Sequence, residues 1–78
     1  MKKVTIYSTP TCHFCHMAKE FFAENNVPYE EHDVSVDMAS RAEMVEKSGQ
    51  MGVPVIIIEN DLIVGFDKSK LSSLLGIA

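Results

Sequence analysis

A chain of 78 residues that is 46% apolar and 23% charged has room for one small core, so residues 1–78 are expected to form a single domain. Seven basic against eleven acidic residues leave a net charge of −4 with no basic run longer than Lys2-Lys3, which argues against a nucleic-acid or anionic-membrane surface. The longest apolar run, Val53 to Ile58, is interrupted by Pro54 and falls far short of the roughly 20 residues that span a bilayer. Met1-Lys2-Lys3 opens like a leader, but Val4 to Tyr7 is only one strand long and no small-residue cleavage site follows. No export signal is read, and a cytoplasmic location is expected.

Val4 to Tyr7 alternates with period two and is β-branched and aromatic, which predicts a first strand. Ser8 to Thr11 reads as a loop. From Cys12 or His13 to Asn25 the period changes: Phe14, Ala18, Phe21, Phe22 and Asn25 fall on one helical face, Met17 widens it, and Asn25-Asn26 stops the helix. Tyr29 to Val34 is a second strand whose Glu30, Glu31, His32 and Asp33 mark it as an edge. Ser35 or Asp37 caps a second helix with Met38, Ala42 and Val45 inward, Met44 beside them, and an end at Ser48-Gly49. It is expected to bury less than the first helix and to be the most mobile element.

Val55 to Ile58 is apolar on both faces and is therefore expected to be a central strand. A tight turn over Glu59-Asn60-Asp61 returns Leu62 to Val64 antiparallel as a fourth strand. Asp67 then caps a last helix that directs Leu71, Leu74 and Leu75 inward and ends at Gly76. The order β-α-β-α-β-β-α, with a right-handed first crossover, predicts an α/β fold: a four-stranded mixed sheet with helices on both faces.

Both cysteines, Cys12 and Cys15, lie where the first strand gives way to the first helix. A disulfide across so short a loop restrains the unfolded chain by only about 2 kcal/mol, so the pair is better explained by chemistry than by stability. Cys12 would stand where backbone N–H groups lack intrahelical partners and the helix dipole favours a thiolate. Cys15, one turn on and farther from that end, should be the more buried and less acidic thiol. Cys12 is thus expected to attack and Cys15 to resolve the mixed disulfide, while His13 and Phe14 between them tune the potential. No acidic residue lies in this loop. Zinc uses the same cysteine spacing, but only His13 and His16 lie nearby, and neighbouring helical positions cannot all converge on one ion. No metal site is expected.

Four segments together resemble a glutaredoxin of the thioredoxin-fold superfamily: Ile6-Tyr7, Cys12-His13-Phe14-Cys15, Val53-Pro54 and Gly65-Phe66-Asp67. The likeness runs the length of the chain and is nearest the short redoxins between glutaredoxins and those serving ribonucleotide reductase. It implies a dithiol-disulfide oxidoreductase with no bound cofactor and with glutathione as a candidate reductant. It also implies a cis bond before Pro54 that leaves the Val53 backbone to pair with glutathione or an extended peptide. Thr11, His13, Phe14, Val53, Pro54, Gly65, Phe66 and Asp67 then line the substrate site around Cys12 and Cys15.

The chain departs from that pattern in three places. Ser8-Thr9-Pro10-Thr11 has no basic residue before Cys12, the usual Cys-Pro-Tyr-Cys is Cys-His-Phe-Cys, and Val64-Gly65 replaces a double glycine. Gly65-Phe66 instead resembles the docking segment of the ribonucleotide-reductase redoxins, without their Trp. The expected electron donor is therefore a thioredoxin-reductase-like flavoenzyme or glutathione, and the expected substrates are disulfide proteins such as ribonucleotide reductase or a peroxidase. A glutathione-dependent iron-sulfur carrier bridging two Cys12 thiolates is the alternative; otherwise the protein is expected to be a monomer. Among the remaining residues, Asp67 reads first as a cap, and Phe66 as either core cover or docking contact. His16 and Lys19 read as solvated surface, His32 as remote from the site, and Tyr7 as packed beneath the cysteine loop.

Overall fold

The structure, a computed structural model, describes residues 2–77. Its elements are β1 (Val4–Ser8), α1 (His13–Glu24), β2 (Glu30–Asp33), α2 (Met38–Ser48), β3 (Val55–Ile58), β4 (Asp61–Val64) and α3 (Lys68–Leu75). The sheet order is β2-β1-β3-β4. β1 pairs parallel with β2 (Ser8 opposite Asp33) and antiparallel with β3 (Tyr7 opposite Val55); β4 folds back along β3 (Val55 opposite Val64). The C-terminal ends of β1, β2 and β4 and the start of β3 therefore share one end of the sheet, the end from which the cysteine loop departs.

Because strand side chains alternate between faces, the sheet divides two cores. On one face Val4, Ile6, Ile56, Ile58 and Ile63 meet Ala18, Phe21 and Phe22 of α1 and Leu71 of α3. On the other, Tyr7, Val34 and Val55 meet Met44 of α2. Each fully buried aromatic or aliphatic side chain contributes about 1.5–3 kcal/mol by leaving water, so the larger α1 face anchors the fold. Lys2 closes the far end: its Nζ donates to the Leu74 carbonyl at 2.8 Å, across 72 residues of sequence.

Several expectations are corrected. Phe14 is 55% exposed, although its helical angle matches Ala18 and Phe21. It stands in the first turn of α1, beyond Ser8 where β1 ends, so no strand lies beneath it. In α2 the inward residues are Ser40 and Met44, with Val45 half-buried, whereas Met38 and Ala42 face solvent. The polar groups of that sheet face set this rotation: Ser40 meets His32, and Glu43 accepts the Tyr7 hydroxyl. Tyr7 thus packs toward α2, with its ring stacked 5.3 Å from His32, and not beneath the loop. The hairpin turn is Glu59-Asn60, with Glu59 at φ 54°, and Asp61 already pairs with Ile58. Asp37, rather than Ser35, caps α2, accepting the Ser40 N–H at 3.1 Å.

Candidate redox site

α1 begins at His13, which makes Cys12 its N-cap, in extended conformation at φ −84° and ψ 113°. The Cys12 sulfur takes the place an Asp or Ser oxygen takes in other caps: it accepts the Cys15 N–H at 3.2 Å. The preceding loop is tied down by Cys12 N–H to the Thr9 carbonyl at 3.3 Å and by His16 Nε2, which donates to the Pro10 carbonyl at 2.9 Å. His16 is therefore more than a solvated residue; it staples the second turn of the helix to the loop. No acidic side chain lies in the first turn, so nothing there opposes negative charge on Cys12.

The two thiols are unequal. Cys12 is partly exposed and Cys15 is fully buried. Burial pushes the Cys15 thiol up to about 12, helped by its hydrogen bond to Cys12 and by charge there, while the Thr9 backbone and the Lys19 ammonium oppose the rise. Charge on Cys12 thus helps keep Cys15 protonated. When the Cys12 sulfur enters a mixed disulfide, that restraint is removed.

At the same end of the sheet, just before β3, lies the Val53-Pro54 segment, and its peptide bond is cis. Gln50 shapes the approach to it: its Oε1 accepts the Gly52 N–H at 2.6 Å and its Nε2 donates to the Gly52 carbonyl at 3.0 Å. Among the described residues no hydrogen bond engages the Val53 N–H or C=O. Pro54 is buried, and its carbonyl accepts the Gly65 N–H at 2.8 Å, which joins the segment before α3 to the cis-proline loop. Gly65 has φ 88°, a conformation that favours glycine. Phe66 is half-buried with its ring edge-on to Phe21 at 6.1 Å, so it covers the core; Asp67 caps α3 through Oδ1, which accepts the Lys70 N–H at 3.1 Å.

The topology gathers Thr11, Cys12, His13, Phe14, Val53, Pro54, Gly65, Phe66 and Asp67 at one end of the sheet. Sequence reasoning missed Gln50, the His16 staple and Glu31, which receives both Lys19 Nζ and Ser8 Oγ at 2.8 Å. The spacing of Lys19 from Cys15 was visible; the strand residue that meets Lys19 carried no signal. Among the described residues no helix is long and apolar enough to cross a membrane.

A thioredoxin-type sheet that presents a partly exposed and a buried cysteine at a helix N-terminus, with a cis-proline at the same end of the sheet, defines a dithiol-disulfide oxidoreductase. The glutaredoxin family model matches residues 4–63. The chain belongs to the glutaredoxin family. It is 43% identical over 72 residues to a glutaredoxin-like 8.6 kDa protein of the rubredoxin operon of Clostridium pasteurianum, covering 92% of this chain and 96% of that one. Glutaredoxin 3 of Escherichia coli is 37% identical over 67 residues, covering 86% of this chain and 81% of its own. The crystal structure of a single-residue mutant of the thioredoxin-like protein BC3987 superposes over the whole of both chains with a TM-score of 0.92 at 38% identity.

Proposed function

We propose that the protein reduces disulfides of other proteins in the cytoplasm, with Cys12 as attacking thiolate and Cys15 as resolving thiol. The inequality of the two thiols is the observation that carries this assignment: only Cys12 is reachable from solvent, and Cys15 is held protonated beside it. The Cys12 thiolate attacks one sulfur of the substrate disulfide, forming a Cys12 mixed disulfide and releasing one substrate thiolate. Cys15 loses its proton to solvent and attacks the Cys12 sulfur. The second substrate thiolate leaves, and the protein retains a Cys12–Cys15 disulfide. Two electrons pass from protein to substrate.

The surface supports a protein substrate. Phe14, Val36, Met38, Met51 and Val64 are more than half exposed, and by strand direction all five stand at the cysteine end. Such a concentration of apolar side chains suits a protein partner better than a small thiol. The unengaged Val53 backbone is available to an added strand, with Thr11, His13, Pro54, Gly65 and Phe66 around it. Among the described residues no hydrogen bond engages the second carboxylate oxygen of Asp67, which leaves it for an amino group such as that of glutathione. Ribonucleotide reductase or a peroxidase is the proposed downstream class, with a thioredoxin-reductase-like flavoenzyme or glutathione as donor.

Cys12→Ser should abolish disulfide reduction, and Cys15→Ser should accumulate mixed disulfides detectable by mass; activity surviving the first change would refute the assignment. Supplying the oxidised protein with glutathione plus glutathione reductase, or with a thioredoxin reductase, identifies the donor. Fast turnover with glutathione would show that Val53 and Asp67 suffice without a basic residue before Cys12. Turnover with the flavoenzyme alone would direct attention to Phe66.

A further inference from the structure

At the C-terminal end of β1, the end from which the cysteine loop departs, lies a polar group that takes no part in the steps above. Ser8, the last residue of β1, is 1% exposed, and its Oγ donates to Glu31 Oε2 at 2.8 Å. The same oxygen accepts Lys19 Nζ at 2.8 Å. The Lys19 side chain is only 19% exposed, far more covered than a solvated surface lysine. Lys19 follows Cys15 by one helical turn, and residues four apart on a helix lie on the same face. Removing an ammonium from water is costly, and the strand carboxylate with its buried serine partner offsets that cost while fixing where the charge sits.

We propose that Lys19, held in place by Glu31 and Ser8, is a positioning residue for the resolving step, its ammonium stabilising the Cys15 thiolate as it attacks Cys12. This rests on Cys15 being the resolving thiol. The groups that act on the Cys15 thiol are Cys12 from the cap, the Thr9 backbone from the loop and Lys19 from its own helix; Lys19 in turn is paired with Glu31 and is also under the influence of Tyr29. In the mixed disulfide Cys12 carries no charge, so of the two charges that act on the Cys15 thiol in the reduced protein, Lys19 is the one that remains. Its effect then lowers the thiol of Cys15, in the sense already seen in the reduced pair. The bond changes are those of the resolving step: the Cys15–Cys12 bond forms, the bond from Cys12 to the substrate sulfur breaks, and the Cys15 proton goes to solvent. Lys19 stays protonated throughout.

The test is a single turnover with an aryl disulfide whose released thiolate is coloured, since the first release reports attack by Cys12 and the second reports closure by Cys15. The pH profile of the second release is compared across variants. Lys19→Gln should move its midpoint to higher pH and slow it roughly three- to tenfold at neutral pH, the range a partly screened charge supplies. Lys19→Arg should restore the wild-type profile. Glu31→Gln, which removes the counter-charge, should move the midpoint the other way. Slower release in both neutralised variants with an unmoved midpoint would mean that the cluster only supports the fold, and would overturn the proposal. Cys15→Ser separates the two ideas: a second release persisting in that variant would refute the resolving role itself, whatever Lys19 does.

Discussion

At the scale of single residues, the buried thiol links redox chemistry to stability. Cys15 has its pKa raised from the ordinary 9.0 to about 12, chiefly by burial, so the folded chain holds this proton more tightly than the unfolded chain does. The stabilising contribution is fully present below about pH 9.0 and is lost as pH rises toward 12. Tyr7, raised by burial and by its bond to Glu43, acts in the same sense at the alkaline end. Urea unfolding of the reduced protein should therefore show stability falling from about pH 9 upward, and Cys15→Ala should flatten the part of that slope that begins there. An unchanged slope in the variant would show that the Cys15 proton is not held by the fold. The thiol that waits its turn in catalysis is the same one that makes the reduced protein sensitive to base.

At the scale of elements, caps and termini explain why the helices stop where they do. Gly49 ends α2 at φ 71°, with its N–H donating to the Val45 carbonyl at 2.8 Å, and a Cβ built there would meet nothing within 4 Å. Substitution therefore costs backbone strain alone. Gly49→Ala should lower stability by about 1 kcal/mol, and Gly49→Asn by less, because asparagine tolerates the left-handed region. Chemical denaturation of the two variants checks the order, and equal losses would locate the cost elsewhere. Most elements were legible in the sequence because local signals agreed: alternation in β1, an unbroken β-branched run in β3, Asp67 and Gly76 bracketing α3. The rotation of α2 was not legible. Its inward positions were chosen by Tyr7 and His32 across the sheet, polar partners that an apolar periodicity does not register. The exposure of Phe14 escaped for a related reason, since helical angle says nothing about where the sheet underneath ends. The cysteine pair was readable from spacing alone; the cis bond at Val53-Pro54 came from family resemblance, and the Gln50 clamp from neither.

At the scale of the whole molecule, carboxylates tie the layers together. Hydrogen bonds from Lys19 and Ser8 hold Glu31 below the usual carboxylate range, joining β2 to α1 and β1. The Tyr7 hydroxyl does the same to Glu43, joining α2 to β1, and the Ser40 contacts do so to Asp37 at the start of α2. A depressed folded pKa means stability present above the unfolded value and lost as pH falls through the folded one. The melting temperature should thus hold down to about pH 4.5 and decline below it. Glu31→Gln should be less stable at neutral pH and show a shallower acid decline; a decline as steep as in the wild type would exclude Glu31 as a contributor. The bond from Lys2 to the Leu74 carbonyl has a practical consequence at this scale. It gathers both ends of the described chain at the pole opposite Cys12. A fluorescent partner or a surface tether fused to either end would leave the path to the thiols open, so the fold is already arranged as the sensing head of a redox reporter.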